Sequence, residues 1–405
     1  MSWREIALGS AIHVKHGFAF KGEFFADEGE HIVLTPGNFY EQGGFRARPG
    51  KDRAYAGEIP EGFILDEGDL IVAMTEQGEG LLGSGALIPQ ANRYLHNQRL
   101  GLVDFIDPAQ LDKRFLYLLF NTRSVRSQIS GSASGTKVRH TAPERIYRVQ
   151  VRIPDVRVQT EIADAVLAYD DLIDNNRRRM ALLEESARLL YNEWFVRLRF
   201  PGHEHTPIVD GVPQGWQRRT AYESVQVLSG GTPKTSNADY WDGEIPFYTP
   251  KDATDSIWVT GCERTVTELG LKNCNSKLYP KDTVFISARG TVGKLNMAQQ
   301  PMAMSQSCYA LVGKDYLTQY FVYASMQFAV EALKQQAVGA VFDAIVVDTF
   351  KRISLLVPPP GIVRLFDEAI GPVYEQVENL TLQNQKLRAA RDLLLPRLMS
   401  GELIA

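Results

Sequence analysis

Along two stretches of the chain, side chains alternate at steps of four and three. The first runs Ile162, Val166, Tyr169, Ile173, Asn176, Met180, Leu183, Ala187, Leu190 and Trp194. The second runs Phe366, Ile370, Val373, Val377, Leu380, Asn384, Leu387, Arg391, Leu394 and Leu398. Steps of four and three keep side chains on one face of a helix, and sustained over many turns they make a coiled-coil seam. At about 1.5 Å per residue each seam is on the order of 48 Å long, more than one adjoining domain can cover. The two helices are therefore expected to pack on each other; the expected fold has them paired as an antiparallel coiled coil. Asn176 and Asn384 fall within the seam, where a buried amide lowers stability but fixes register. Pro154, and Pro358 with Pro359 and Pro360, mark where the helices begin, because proline is tolerated at or before the first turn.

The remaining sequence reads differently. Leu70-Ile71-Val72-Ala73 and Val284-Phe285-Ile286 are short apolar runs that follow the turns Gly68-Asp69 and Lys281-Asp282, which predicts buried strands. The stretches 115–120 and 320–333 predict helices. Residues 201–216 hold three prolines and three glycines, the composition of a linker. The predicted fold class is α+β: two mixed, strand-rich domains alternate with two long helices in a pseudo-twofold internal repeat. The expected boundaries are 1–153 for the first domain, 154–200 for the central helix, 201–357 for the linker and second domain, and 358–405 for the last helix.

The repeat is legible residue by residue. Subtracting 204 carries Gly339 onto Gly135, Arg352 onto Arg148, Leu355 onto Val151 and Pro358 onto Pro154, and the register holds through the helix to Leu394 and Leu190. Earlier in each half the offset is 213, pairing Trp216 with Trp3 and Asp282 with Asp69, and it has become 208 by Gln306 and Gln98. Small insertions thus separate the domain cores while the helices correspond without a gap. One exception is Gln159, whose place is taken by Val363.

Composition adds limits rather than direction. With 44% hydrophobic and 23% charged residues, the chain belongs among ordinary globular proteins. No basic start leads into an apolar run, and no stretch nears 18 uncharged apolar residues, so a cytoplasmic protein without membrane contact is expected. Cys262, Cys274 and Cys308 have no metal-ligand spacing and are expected to be free thiols. The net charge of −4 decides nothing, but its distribution is uneven. Between Lys113 and Arg152 nine basic residues face one acid, Glu144, whereas residues 317–356 are balanced. A phosphate-binding role would then place more of the salt dependence in the first half.

Several motifs resemble the DNA-specificity subunit of Type I restriction-modification systems over essentially the whole chain. They are the segment Leu395-Pro-Arg-Leu-Met-Ser-Gly-Glu-Leu403, the opening Ser229-Gly-Gly-Thr-Pro-Lys-Thr-Ser-Asn-Ala-Asp-Tyr-Trp241, Gly243 to Asp252, Ser287-Ala-Arg-Gly-Thr-Val-Gly-Lys294 and Ser305-Gln306. The first domain has His16-Gly-Phe-Ala-Phe20 and Val33-Leu-Thr-Pro-Gly-Asn38 instead, so the two domains are expected to read different sequences. The resemblance implies two target-recognition domains, each reading one half of a split, asymmetric target on double-stranded DNA, held apart by the helices as a ruler. It also implies partners: two methyltransferase (modification) subunits and restriction translocase subunits, with S-adenosylmethionine, ATP and magnesium on those partners and no cofactor on this chain.

Base edges are read by side chains with paired donors and acceptors. Candidates in the first domain are Lys15, Lys21, Asn38, Thr75, Gln77, Gln98 and Arg99, with Lys137 and Arg139 for phosphates. In the second they are Thr232, Lys234, Ser236, Lys251, Arg289, Lys294 and Gln306. No catalytic set is expected. Gly290 to Lys294 lacks the first glycine and the hydroxyl of a nucleotide-binding loop, having Ala288 and Leu295 there. The prolines at 358–360 do not make the Asp/Asn-Pro-Pro-aromatic motif of an adenine methyltransferase, and Glu161-Ile-Ala lacks the lysine of a nuclease motif. His203 and His205 are expected to be solvated rather than metal-bound. The alternatives are a self-contained methyltransferase or nuclease of unrecognised motif, and a scaffold that binds no DNA.

Overall fold

A computed structural model describes residues 3–48, 50–76, 80–336 and 344–403. The chain forms two compact units, Met1–Asp171 with Arg388–Ala405, and Leu172–Leu387. Each is built the same way.

In the first unit, an antiparallel sheet has the order Ile12–His16, Leu100–Ile106, Leu70–Ala73, Gly85–Leu87. Its third strand, Leu70–Ala73, is sealed on both faces, which is why the sequence is uniformly apolar there. The preceding turn has Gly68 in the left-handed region, and the Asp69 carboxylate accepts the Asp66 amide at 2.9 Å. The helix Lys113–Phe120 starts at Asp112, whose carboxylate caps the Arg114 and Phe115 amides, and lays Phe115, Leu116 and Phe120 into the core.

The second unit repeats the order with Val225–Ser229, Cys308–Gly313, Val284–Ser287 and Leu295–Ala298, and adds Trp258–Val259 in parallel at the edge. The helix Gln319–Gln336 stands where Lys113–Phe120 stands in the first unit. The two offsets read from the sequence reappear in strand register. Arg4 pairs with Ile153 where Arg4–Ala7 meets Gln150–Ile153, and Gln217 pairs with Val357 where Gln217–Thr220 meets Ser354–Val357.

The long helices span Val156–Tyr191 and Pro360–Met399. Each contributes to both units. In the first, Ile162 and Val166 share a core with Leu398, beside Leu394, and Asp170 pairs with Arg391. In the second, Asn176 Nδ2 donates to Asn384 Oδ1 at 3.0 Å, Asn384 Nδ2 reaches the Ile173 carbonyl, and Tyr191 lies 6.1 Å from Phe366. Rising numbers on one helix meet falling numbers on the other, so the pairing is antiparallel in each unit. Of the seam, Ile162, Ile173, Asn176, Phe366, Val377, Leu380 and Asn384 are buried, while Tyr169, Leu183, Leu190, Val373, Leu387 and Leu394 are half-buried.

Two features depart from the expected pattern. Beyond Tyr191 the first helix widens into a π turn, Asn192–Val196, instead of running on to residue 200. The wider turn lets consecutive Trp194 and Phe195 both reach Phe366, with ring centres 5.9 and 4.9 Å away. Residues 201–216 are not a loose linker. A hairpin pairs Ile208–Val209 with Val212–Pro213, and the buried Phe200 and Trp216 rings pack 4.7 Å apart at its base.

The replacement of Gln159 by Val363 has a structural answer. Gln159 is fully buried, accepts the Asp112 amide at 3.0 Å, and donates to the carbonyls of Gln110 and Pro154 at 2.8 and 2.9 Å. In the other copy Val363 is simply buried, and the Tyr316 hydroxyl donates to the Pro358 carbonyl at 2.9 Å. The same carbonyl of the repeat is satisfied from another element, as a buried acceptor requires.

Among the described residues, no helix is long and apolar enough to cross a membrane.

Candidate nucleic-acid interface

Each domain brings a glutamine to one place by the same backbone crossing. The first strand of the main sheet runs into Gly17 in one unit and Gly230 in the other, and an added Cβ would lie 2.0 Å from the Asn97 carbonyl oxygen or 2.1 Å from that of Ser305. Only glycine permits so close an approach. In the first unit the crossing is tied by Phe18 N to His96 O and Gln98 N to Phe18 O, both 2.9 Å; in the second, Gly231 N bonds Met304 O at 3.1 Å. Gln98 and Gln306 emerge from these crossings exposed to solvent. Beneath the first crossing lies His96, fully buried, with Nε2 on the Leu100 carbonyl at 2.9 Å; burial pulls its pKa down to about 4, so the ring is neutral and its Nε2–H is the donor.

The other candidates divide into engaged and available. In the first domain Asn38 is turned inward, only 1% exposed, its amide held by Thr35, the Arg46 carbonyl and Asp52, so it presents nothing to a base. Thr75 is buried and bonds His140 Nδ1 at 3.1 Å. The Lys15 ammonium donates to the Gly62 carbonyl at 2.7 Å and sits 4.4 Å above the Phe63 ring. Arg139 is bound to the buried Glu76 carboxylate at 3.2 Å. Lys21, Gln98, Arg99 and Lys137 are exposed, and Gln77 lies outside the described residues. In the second domain Thr232 and Gln306 bond each other, and Lys294 pairs with Asp255. Lys234, Ser236, Lys251 and Arg289 are exposed.

The basic stretch between Lys113 and Arg152 is not a single field. Arg126 donates to the carbonyls of Leu82, Glu41 and Gly80, and burial lowers its pKa. Arg114 binds Asp164, and Arg145 binds Ser134 and the His140 carbonyl. With Arg139, four of the cations hold the fold together; Lys113, Arg123, Lys137, Arg148 and Arg152 stay exposed.

Sequence reasoning missed Arg48 and Lys51. They join Gln98 and Arg99 around a cavity of about 440 Å³ with Phe20, Phe25 and Val33 in its wall. The run Arg46-Ala-Arg-Pro-Gly-Lys-Asp-Arg53 was the available signal.

Burial pushes the thiols of Cys262 and Cys308 up to about 12, far from the ionised form that reacts. Among the described residues there is no group of three or more metal-ligating side chains.

Known proteins fit this architecture. The family described as Type I restriction modification DNA specificity domain matches residues 2–185 and 213–390. The Type I restriction enzyme HindI specificity subunit of Haemophilus influenzae is 23% identical, over 71% of this chain and 76% of its own. The Type I restriction enzyme MjaIX specificity subunit of Methanocaldococcus jannaschii is also 23% identical, over 71% and 68%. In fold, the crystal structure of a Type I restriction-modification system S subunit from M. genitalium superposes with a TM-score of 0.62 at 16% identity, covering 98% of this chain and 96% of that one. With two matches that together span most of its length, this chain belongs to the Type I restriction-modification DNA specificity family.

Proposed function

We propose that this chain reads a bipartite, asymmetric DNA target, one half with each domain, and that the paired helices act as the ruler between the half-sites. Its role as the DNA-specificity component of a Type I restriction-modification system follows from its family, whose members are non-catalytic. DNA and other subunits of such a complex are its partners. The observation that carries the bipartite reading is the duplicated glycine crossing, which exposes Gln98 and Gln306 at equivalent positions of two domains whose surrounding loops differ. Equivalent frames with unlike surroundings suit two unlike half-sites.

Two modification subunits dock on the pseudo-twofold helices in this reading, and restriction translocase subunits complete the assembly. S-adenosylmethionine, ATP and magnesium act on those partners. Linking two weak readers raises affinity through effective concentration. The half-sites must also suit the helical repeat of DNA, about 34 Å per turn. Adding one heptad to each helix should lengthen the permitted spacer and leave both half-sites unchanged, as read by methylation mapping in cells supplied with the modification subunit. An unaltered spacer would count against the ruler.

A further inference from the structure

We propose that the cavity below the Gln98 turn is the first domain's grip on the DNA backbone: Lys51 and Arg99 hold phosphates, with Arg48 behind them, while Gln98 reads the adjoining base. This rests on the DNA-reading function above and assigns it to particular residues.

Three observations meet at this place. First, the cations are uncommitted. Among the described residues, neither Lys51 nor Arg99 has an ion pair, and both are exposed. The cavity lining includes one carboxylate, Asp52, which accepts Asn38 Nδ2 at 2.8 Å and the Arg48 amide at 2.9 Å, and nearby Asp27 pairs with Arg53. Arg53 itself is spent on the carbonyls of Phe25 and Ala26. Arg48, Lys51, Arg53 and Arg99 outnumber the Asp52 carboxylate in the lining, so its net charge is positive, and Lys51 and Arg99 are not consumed by the fold as Arg126 and Arg139 are.

Second, the position is held. Gln98 and Arg99 ride on a turn pinned by the Gly17 crossing, where the Arg99 amide also donates to Asn97 Oδ1 at 3.1 Å. A fixed backbone leaves less chain entropy to lose when a reader engages its base. The Gln98 side-chain amide has no hydrogen-bond partner among the described residues, so both its donor and its acceptor remain for the bidentate contact that recognises adenine at N6 and N7.

Third, the cavity has an apolar side. Phe20 and Phe25 line it, and an apolar wall strengthens the attraction between guanidinium or ammonium and phosphate by excluding water. In the second domain the equivalent glutamine is tethered to Thr232, and the nearby Lys294 is paired with Asp255. In the first half-site the phosphate contribution should come from residues 48–99 and not from the basic stretch beyond residue 113.

The test uses the full chain and a duplex carrying the target recovered by methylation mapping, with anisotropy measured across sodium chloride concentrations. Neutralising one phosphate-binding cation takes about 0.9 off the slope of log affinity against log salt. The double variant Lys51→Gln with Arg99→Gln is expected to lower the slope by ~1.8, whereas Arg148→Gln with Arg152→Gln leaves it unchanged. Gln98→Ala is expected to relax preference at one base pair of one half-site by roughly tenfold while leaving the salt slope alone. Wild-type binding with an unchanged slope in the folded double variant overturns the assignment and spares the DNA-reading function. Wild-type protein that shows no salt-dependent binding overturns both.

Discussion

The two units share a plan but fasten the recognition domain to the helix pair by different chemistry. In the first, Ile162, Val166 and Leu398 pack at the junction, the fully buried Gln159 closes the corner, and Arg114 pairs with Asp164. In the second, a larger set of polar bonds crosses the junction. Trp258 Nε1 donates to the Tyr374 carbonyl at 2.9 Å, Lys281 and Gln299 both bind Glu378, and Glu184 accepts Ser256 Oγ and the Ile257 amide. Apolar contacts tolerate drift in shape, whereas directed bonds fix one placement. Equivalent architecture in a duplicated protein thus does not imply equivalent sensitivity to pH, salt or substitution.

The comparison can be broken most sharply at the aromatic knot of the second unit. Phe366 is fully buried against Tyr191, Trp194, Phe195 and Phe321. Phe366→Ala should cost ~3–5 kcal/mol, and its counterpart Ile162→Ala ~2–4 kcal/mol. Peptide-level hydrogen exchange should place each loss in its own unit; equal loss of protection in both would mean that they unfold as one.

Acidity should separate the units next. His96 in the first unit has its pKa pulled from 6.5 to about 4, so its contribution is present above pH 6.5 and is lost as pH falls toward 4. That shift corresponds to about 3 kcal/mol. Glu184 in the second unit is held above its usual 4.5 by burial, so its contribution is full below 4.5 and is lost as pH rises through the folded value. Lowering pH from 6.5 to 4.5 should weaken the first unit and favour the second, as followed by exchange rates. His96→Gln and Glu184→Gln should each flatten one of the two responses.

Smaller effects test the corner of the repeat. Gln159→Val copies the second unit's residue without its tyrosine, orphaning the Asp112 amide and two carbonyls, and should cost ~2–3 kcal/mol. Tyr316→Phe orphans only the Pro358 carbonyl, for ~1 kcal/mol. Both are measured by denaturant unfolding. Replacing Asn176 and Asn384 together by leucine should change stability least, but should broaden the distance distribution between spin labels at Leu182 and Gln383, because the register-fixing amide pair is gone.

Periodicity made the helices, their pairing and the repeat legible, since a seam is a one-dimensional signal. Helix ends were less so: the π turn at Asn192 arises from aromatic packing against Phe366, which no local pattern encodes. The interface was legible only in part. Gln98 and Gln306 could be placed by the repeat. That Asn38, Thr75 and Arg139 face inward depends on partners such as Asp52, His140 and Glu76, which are brought up by the fold. Arg48 and Lys51 were hidden because their neighbour Arg99 lies some 50 residues further along the chain.

The first unit is closed by residues made after the whole of the second. Leu394, Leu398, Met399 and Leu403 pack on its core, and Gly401 sits against Trp3 with no room for a Cβ, near the other end of the sequence. On a ribosome, the recognition domain that emerges first therefore waits with an uncovered apolar face while more than two hundred residues are added. Contacts this distant in sequence form slowly, and the waiting surface is a natural client for chaperones.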